Sequence, residues 1–355
     1  MGHLSIPLKT PFKTALRTVT HVEDVIVKVL TDTGQIGYGS APPTAVITGD
    51  TKESIETAIE THIKKQLLGM PIQNLEEVMQ RLHHSIARNN SAKAAVDMAL
   101  YDLYGQLNNA PIYLLLGGHR RKLVTDLTIS VNNPEEMTRD SVNAVKRGFK
   151  TLKIKVGKDP EQDIISLEQI WKAVGNRIHL RLDANQGWTP EEAVHILKSL
   201  QDKGIRIELV EQPVKARDLE GLKYVTDNIS IPVAADESAF SPQDVSKIIR
   251  MRAANLINIK LMKTGGIYHA LKICAMAESA HMECMIGCMM ESKISVTAAA
   301  HLAMAKRIIT KIDLDAPILC KKDPIKGGVI YKKDQITLSD EPGLGLKKVK
   351  FLPCL

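Results

Sequence analysis

Five short apolar segments in the second half of the chain each end in charged residues, and their spacing is close to constant. They read TLKIKVG (Thr151 to Gly157), HLRLDAN (His179 to Asn185), ELVEQP (Glu208 to Pro213), VAADES (Val233 to Ser238) and INIKLMKTGG (Ile257 to Gly266). Asp183 lies 28 residues before Glu211, Glu211 lies 25 before Asp236, and Asp236 lies 24 before Lys260. One strand, one helix and two loops fill such a span, which is the period of a βα barrel. The C-terminal ends of successive barrel strands converge on one mouth, so charges placed there in series outline a site.

Extending the pattern predicts eight strands, near Leu127–Val131, Leu152–Val156, Ile178–Ala184, Glu208–Glu211, Val233–Asp236, Ile257–Leu261, Glu283–Gly287 and Lys311–Asp315. Amphipathic helices fill the gaps. Those over Pro134–Arg147, Pro160–Val174, Pro190–Lys203 and Pro242–Met251 open with proline, whose missing N–H costs nothing in a first turn. The first third reads differently. VEDVIVKVL, TDTGQ and IGYGSA, between Val22 and Ala41, form a hairpin pattern. Helical stretches follow over Lys52–Leu68, Asn74–Ile86 and Ser91–Leu107, the last with Ser91 as the expected N-cap. Gly117-Gly118 ends this region. The expected α/β chain is thus an α+β domain over 1–118, a barrel over 119–316, and a tail over 317–355 that packs back on the first domain.

At 355 residues the chain exceeds one ordinary domain. Hydrophobic content of 44% and charged content of 25% are those of a soluble globular protein. The net charge of +7 is scattered, and its one tight run, His119–Lys122, reads as a solvated loop after Gly117-Gly118. Four Phe, seven Tyr and two Trp give little for stacking on bases, so no nucleic-acid partner is expected. No apolar run approaches the roughly 18–20 residues of a membrane span, and MGHLSIPLKT lacks the apolar core of a signal peptide. Cys274, Cys284, Cys288, Cys320 and Cys354 form no CxxC pair and read as reduced thiols in a cytoplasmic protein. An assembly of like subunits is compatible with all of this.

Asp183, Glu211 and Asp236 come from three consecutive strands. Crowded carboxylates repel unless a cation neutralises them, and an all-oxygen set suits Mg2+. Each acid alone reads more plainly as a helix cap or a lysine partner. Lys153 and Lys155, two apart on a strand, leave one face, and Leu152, Ile154 and Val156 take the other. Two amines beside a cation lower one another's pKa, leaving one neutral enough to act as a base. Lys260 ends a strand four positions on and approaches from the opposite wall. A carboxylate substrate with its α-carbon between Lys155 and Lys260 can lose a proton from one face and regain it on the other. Lys263 reads as a shield for its loop. Asp313 and Asp315, on one face of the last strand, suit a bound ammonium or a helix cap equally well. Gly265-Gly266 is a weak phosphate-loop signal, and Cys288-Met289-Met290 reads as core filling.

KIKVG, DANQGW, EQP, ADES and NIKLMKTGG resemble the enolase superfamily in its muconate-lactonizing branch, and within it the dipeptide epimerases. The resemblance implies an α+β capping domain over a modified (β/α)7β TIM-like barrel. It implies Mg2+ on Asp183, Glu211 and Asp236, with Lys155 and Lys260 as paired acid/base residues and Lys153 on the substrate carboxylate. Asp313 and Asp315 match the pair that holds the ammonium of a dipeptide. PFKTALRT (Pro11 to Thr18) is similar to the segment whose arginine, here Arg17, holds a glutamate side chain. Thr128, Cys288 and Met290 fall where that family lines its pocket. Relative to the family, LSIPLKT begins almost at once, so the first strand is expected to be trimmed or to start differently.

The expected activity is Mg2+-dependent epimerisation of the C-terminal residue of a dipeptide through a metal-stabilised enediolate. The implied substrate is L-Ala-D-Glu, converted to L-Ala-L-Glu in murein peptide recycling. Other dipeptides remain open. o-Succinylbenzoate synthase, N-acylamino acid racemase and muconate cycloisomerase need no ammonium anchor, so Asp313 and Asp315 argue against them. Dehydratases of the mandelate racemase branch want a histidine where this chain has IGCMM. A phosphate-binding aldolase leaves the three carboxylates unexplained, and a non-catalytic metal scaffold leaves the opposed lysines unexplained.

Overall fold

The computed structural model describes residues 1–353, so Cys354 lies outside the described residues. Three strands, β1 (Gly2–Lys13), β2 (Thr18–Leu30) and β3 (Ile36–Ala41), form an antiparallel sheet at the start of the chain. β1 pairs with β2 from Gly2 opposite Ile26 to Lys13 opposite Thr18, with one shift of register. Thr51 caps a helix whose turns run α, π, α over Lys52–Leu67, and helices over Leu75–His84 and Asn90–Leu107 follow. The last of these packs on β3 so closely that a Cβ on Gly39 would stand 1.8 Å from the Ala95 carbonyl oxygen. Ser91 is not its N-cap. Asn89, in the left-handed region at φ +50, precedes the first turn, and the Ser91 N–H donates instead to the Asp50 carboxylate at 3.2 Å. A carboxylate brought in from an earlier loop thus does what the local hydroxyl was expected to do.

After a short strand, β4 (Leu123–Val124), eight parallel strands follow: β5 (Leu127–Ile129), β6 (Thr151–Lys155), β7 (His179–Asp183), β8 (Ile207–Glu211), β9 (Val233–Ala235), β10 (Leu256–Ile259), β11 (Glu283–Gly287) and β12 (Ile309–Asp313). Their order in the sheet is the order of the chain, and a bridge between Thr125 and Ile312 joins the two edges into a barrel. All four prolines named above take the first turn of their helices. The tail adds β13 (Ile325–Gly327), β14 (Ile330–Lys332), β15 (Gln335–Thr337), β16 (Leu346–Val349) and β17 (Leu352–Pro353). β17 pairs with β1 and β15 with β4, so the tail stitches the first sheet to the barrel base.

The barrel interior is layered. Leu209, Ala234, Leu256 and Met285 form a small apolar cluster from four adjacent strands. On the other side the space is filled by Arg181, 5% exposed, which donates to Asp126 at 2.8 Å, Glu208 at 2.6 Å and the Ile312 carbonyl at 3.0 Å. One guanidinium therefore ties β7 and β8 to both edges of the seam. Arg181→Met is expected to cost about 3 kcal/mol, because it leaves buried acids unpaired. A lower urea midpoint at unchanged slope would report it, and an unchanged midpoint would count against the seam role.

The run His119–Lys122 is not simply solvated. Arg121 is half-buried and its guanidinium donates to the carbonyls of Ala303, Lys306 and Ile309, closing the end of the helix over Lys293–Ala305.

Candidate active site

Strand register carries the charged residues to one level. Lys155 of β6 pairs with Asp183 of β7, which pairs with Glu211 of β8, and Asp236 and Lys260 directly follow β9 and β10. Side chains two apart on a strand share a face, so Lys153 and Lys155 both enter the barrel. Each is at most 6% exposed, and Asp183, Glu211 and Asp236 are wholly buried. β6 and β10 are four strands apart in a closed eight-stranded ring, which sets Lys155 and Lys260 on opposite walls.

The amines and acids are interleaved. Lys153 Nζ lies 2.9 Å from Asp183, 2.7 Å from Glu211 and 2.7 Å from Asp313. Lys155 Nζ donates to Asp183 Oδ2 at 2.5 Å and to Asn185 Oδ1 at 3.1 Å. Lys260 Nζ donates to Asp236 Oδ2 at 2.6 Å and stands 3.6 Å from Glu211. Gly287 of β11 makes room for the Lys260 stem, since a Cβ there would meet Lys260 Cε at 2.9 Å. Lys263 does not shield its loop. It is fully buried, 2.6 Å from Asp236 Oδ1, and also donates to the carbonyls of Asp236 and Asn258.

This packing sets the protonation states. Burial opposes the charge on Asp183, but Lys153, Lys155 and Lys260 outweigh it and hold the carboxyl below its usual range. Burial opposes the charge on Asp236 too, and Lys260 and Lys263 hold it far below. Glu211 goes the other way: burial first, and then Asp183, push it up to about 8. Its partners are shared, Lys153 among three acids and Lys260 with Asp236, so Glu211 is the carboxyl left short of positive charge. Burial lowers Lys260, yet Asp236 and Glu211 more than reverse this and hold the amine above its ordinary value. Burial also lowers Lys153, yet Asp183, Asp313 and Glu211 hold it well above its ordinary value, so the lowered amine expected of the Lys153 and Lys155 pair is not met at Lys153 while these ion pairs stand. Burial does lower Lys263.

Glu211 Oε2 and Asp236 Oδ1 sit within ion-pair reach of lysines but outside hydrogen-bond geometry, and Asn258 Oδ1 has no hydrogen-bond partner among the described residues. Buried carboxylate lone pairs left unfilled are the donors a hard cation takes, so the acid trio fits Mg2+ in its chemistry. Among the described residues, no three acids or imidazoles stand ready in metal-binding geometry. Lys153, within ion-pair distance of two of the three acids, offsets part of their charge here.

A pocket opens above these groups. Lys153, Lys155, Lys260, Thr128, Cys288, Met290, Asp313, Asp315 and Arg17 all line it, with Phe12, Leu16 and Ile47 from the first domain and Asn185 and Met289 from the barrel. Asp183, Glu211 and Asp236 do not line it, but each is paired with a lysine that does. Phe12 faces Lys155, whose Nζ is 5.9 Å from the ring centre. Arg17 is half-buried; its backbone bonds Thr14, while its guanidinium makes no ion pair among the described residues, and burial lowers its pKa.

Asp315 is not a surface cap. It is 2% exposed, its Oδ2 accepts the Thr128 N–H at 2.7 Å, and burial followed by Asp313 raises it to about 6. Burial and neighbouring acids keep the Cys288 thiol protonated, far above its usual range. The Gly265-Gly266 turn offers no anion site either, because the N–H groups of Ile267 and Tyr268 already donate to Asp97, from the helix over Asn90–Leu107. Sequence reasoning did not single out Asn185, Asn258, Glu237 or Gln212. Their places offered the only signal: Gln212 and Glu237 directly follow Glu211 and Asp236, Asn185 lies two residues after Asp183, and Asn258 two before Lys260.

The profile described as mandelate racemase/muconate lactonizing enzyme, N-terminal domain, matches residues 3–117, and that described as enolase C-terminal domain-like matches 136–348. The chain belongs to the enolase superfamily, in its mandelate racemase/muconate lactonizing branch. Within this superfamily it is 62% identical to the L-Ala-D/L-Glu epimerase of Clostridium acetobutylicum, over 98% of each chain. It is also similar to the substrate-liganded structure of the L-Ala-D/L-Glu epimerase from Bacillus subtilis, with 52% identity and a TM-score of 0.96, covering 97% of this chain and 96% of that one. A dipeptide epimerase of Enterococcus faecalis V583, complexed with Mg and L-Leu-L-Tyr, aligns at 44% identity and a TM-score of 0.93 over 98% of both chains. The architecture of a superfamily member, a barrel under a separate sheet-bearing cap, is the one described above. Among the described residues no helix is long and apolar enough to cross a membrane.

Proposed function

We propose that this protein epimerises the C-terminal residue of a dipeptide, L-Ala-D-Glu to L-Ala-L-Glu, with Mg2+, as a cytoplasmic step in cell-wall peptide recycling. The observation that carries the reading is the opposition of Lys155 and Lys260 across one pocket, over three buried carboxylates. Relatives named L-Ala-D/L-Glu epimerase support the substrate, and the Mg-containing complex of the Enterococcus relative supports the metal.

Each lysine serves one face of the α-carbon, one taking the proton and the other returning it. Asp183, Glu211 and Asp236 would hold Mg2+, which when bound neutralises the charge that builds on the substrate carboxylate as the α-proton leaves. Lys153, at the floor of the pocket, adds a fixed positive charge beside that carboxylate. Asp313 and Asp315 hold the dipeptide ammonium: Asp315, raised by burial and by Asp313, has no ion pair among the described residues, while Asp313 is answered here by Lys153. Thr128 keeps Asp315 in place through its backbone N–H. Cys288 and Met290 give the pocket an apolar wall.

Arg17 gives the reading its specificity. A desolvated guanidinium with no ion pair of its own suits a carboxylate, which two parallel hydrogen bonds fix in distance and orientation. Losing one partner of such a pair costs about 2 kcal/mol or more. Arg17→Ala is expected to lower kcat/KM for L-Ala-D/L-Glu by about 30-fold or more, at ~1.4 kcal/mol per decade. Dipeptides ending in an apolar residue should lose little. Steady-state assays on both classes test this: a uniform loss, or a wild-type preference for apolar or cationic dipeptides, would remove the glutamate assignment.

A further inference from the structure

The two walls of the pocket support their lysines differently. Lys260 is held by carboxylates alone, Asp236 and Glu211. Lys155 has one carboxylate and one neutral acceptor, the side-chain oxygen of Asn185. An ammonium has only hydrogens to offer, so Asn185 must turn its oxygen toward Lys155 and its NH2 away. That NH2 meets Glu237 Oε1 at 3.2 Å. Asn185 and Glu237 are both at least 95% buried, and Glu237 Oε2 has no hydrogen-bond partner among the described residues.

The backbone bends to make this contact. Asn185 sits at φ +43, in the left-handed region that a non-glycine residue adopts at a cost, and Gln186 follows at φ +69. In that conformation the Asn185 N–H donates to Asp183 Oδ1 at 3.0 Å while its side chain holds Lys155. One residue thus fixes an acid and an amine together, and an acid from the next strand but one fixes its amide.

We infer that the Asn185 side chain, oriented by Glu237, is a positioning group for Lys155 and not for Lys260, so the two proton-transfer faces of this site are tuned by separate side chains. The inference rests on the two-lysine reading of the site. It gives the DAN and ADES segments a role in the balance between the faces: Asn185 sets where the Lys155 amine stands relative to the α-proton, and Lys260 is indifferent to it.

The test follows exchange of the α-proton for deuterium in D2O by NMR, starting separately from each epimer of L-Ala-Glu. Asn185→Gly is the informative variant, since glycine takes φ +43 freely and removes only the amide. It is expected to slow exchange about 10-fold or more for the one epimer whose exchange Lys155→Ala abolishes. The antipode should exchange within about threefold of wild type, by the same loss of one hydrogen bond on one wall only. Glu237→Ala should shift the ratio of the two rates in the same direction by a smaller factor, whereas Glu237→Gln, which keeps an acceptor for the amide, should restore the wild-type ratio. Equal slowing of both epimers, an unchanged ratio, or a loss matching Lys260→Ala would overturn the inference. Wild-type protein that exchanges neither epimer of any dipeptide would instead overturn the two-lysine reading on which it rests.

Discussion

Lys155→Ala and Lys260→Ala are each expected to stop epimerisation in both directions, by about 1,000-fold or more, while α-proton exchange survives for one epimer in each variant. Inversion needs a base on one face and an acid on the other, so losing either amine blocks both directions. Exchange without inversion needs only the amine that faces the proton. Lys155 and Lys260 stand four strands apart, so they meet opposite faces and should spare opposite epimers. NMR of each L-Ala-Glu epimer in D2O separates the cases. If both variants keep the same epimer exchanging, or either keeps turning over near the wild-type rate, the lysines are not the paired bases.

Removal of metal should be as damaging. Chelation is expected to abolish turnover and added Mg2+ to restore it, and Asp236→Asn should lose both turnover and Mg2+ binding. Asp236 bonds Lys260 through Oδ2 and lies against Lys263 through Oδ1, so the variant also leaves two buried ammonium groups with less charge to answer them. A lower melting temperature with a retained circular dichroism spectrum is therefore expected, and calorimetric titration with Mg2+ reads the binding directly. Undiminished activity in metal-free buffer would end the proposal for the acid trio.

The fold could be read from the sequence because it is written in local periods. Strand patterns alternate, prolines open four helices, and an acid or a lysine stands at or directly after the end of six of the eight barrel strands. The paired lysines and the acid trio were legible for the same reason, as each stands at the end of its own strand. What the sequence hid were bonds made by side chains to distant partners. Ser91 looked like a cap because hydroxyls cap locally, but Asp50 reaches that N–H first. Lys263 looked like a loop residue because it lies beyond β10, yet the short turn after Lys260 folds its amine back under Asp236. Arg121 belonged to a charged run and ended as a helix terminator. Arg181 gave no signal at all, since an inward arginine below the catalytic level has no motif. The lysine acidities went astray for a related reason: the sequence shows which amines are neighbours, but not how many carboxylates each must serve.

Asp97 belongs to the helix behind β3, yet it finishes the first turn of the helix that follows Lys260 and Lys263. Its carboxylate also lies where a Cβ on Gly266 would come within 2.2 Å of it. For anyone recombining parts of related proteins, the cut between the two domains is therefore not clean. A barrel joined to a foreign partner must receive an acid at that position along with it, and residue 266 must stay small. Otherwise the graft would expose two unanswered N–H groups, those of Ile267 and Tyr268, seven and eight residues from Lys260, and the hybrid would lose the alignment of its pocket before it lost its fold.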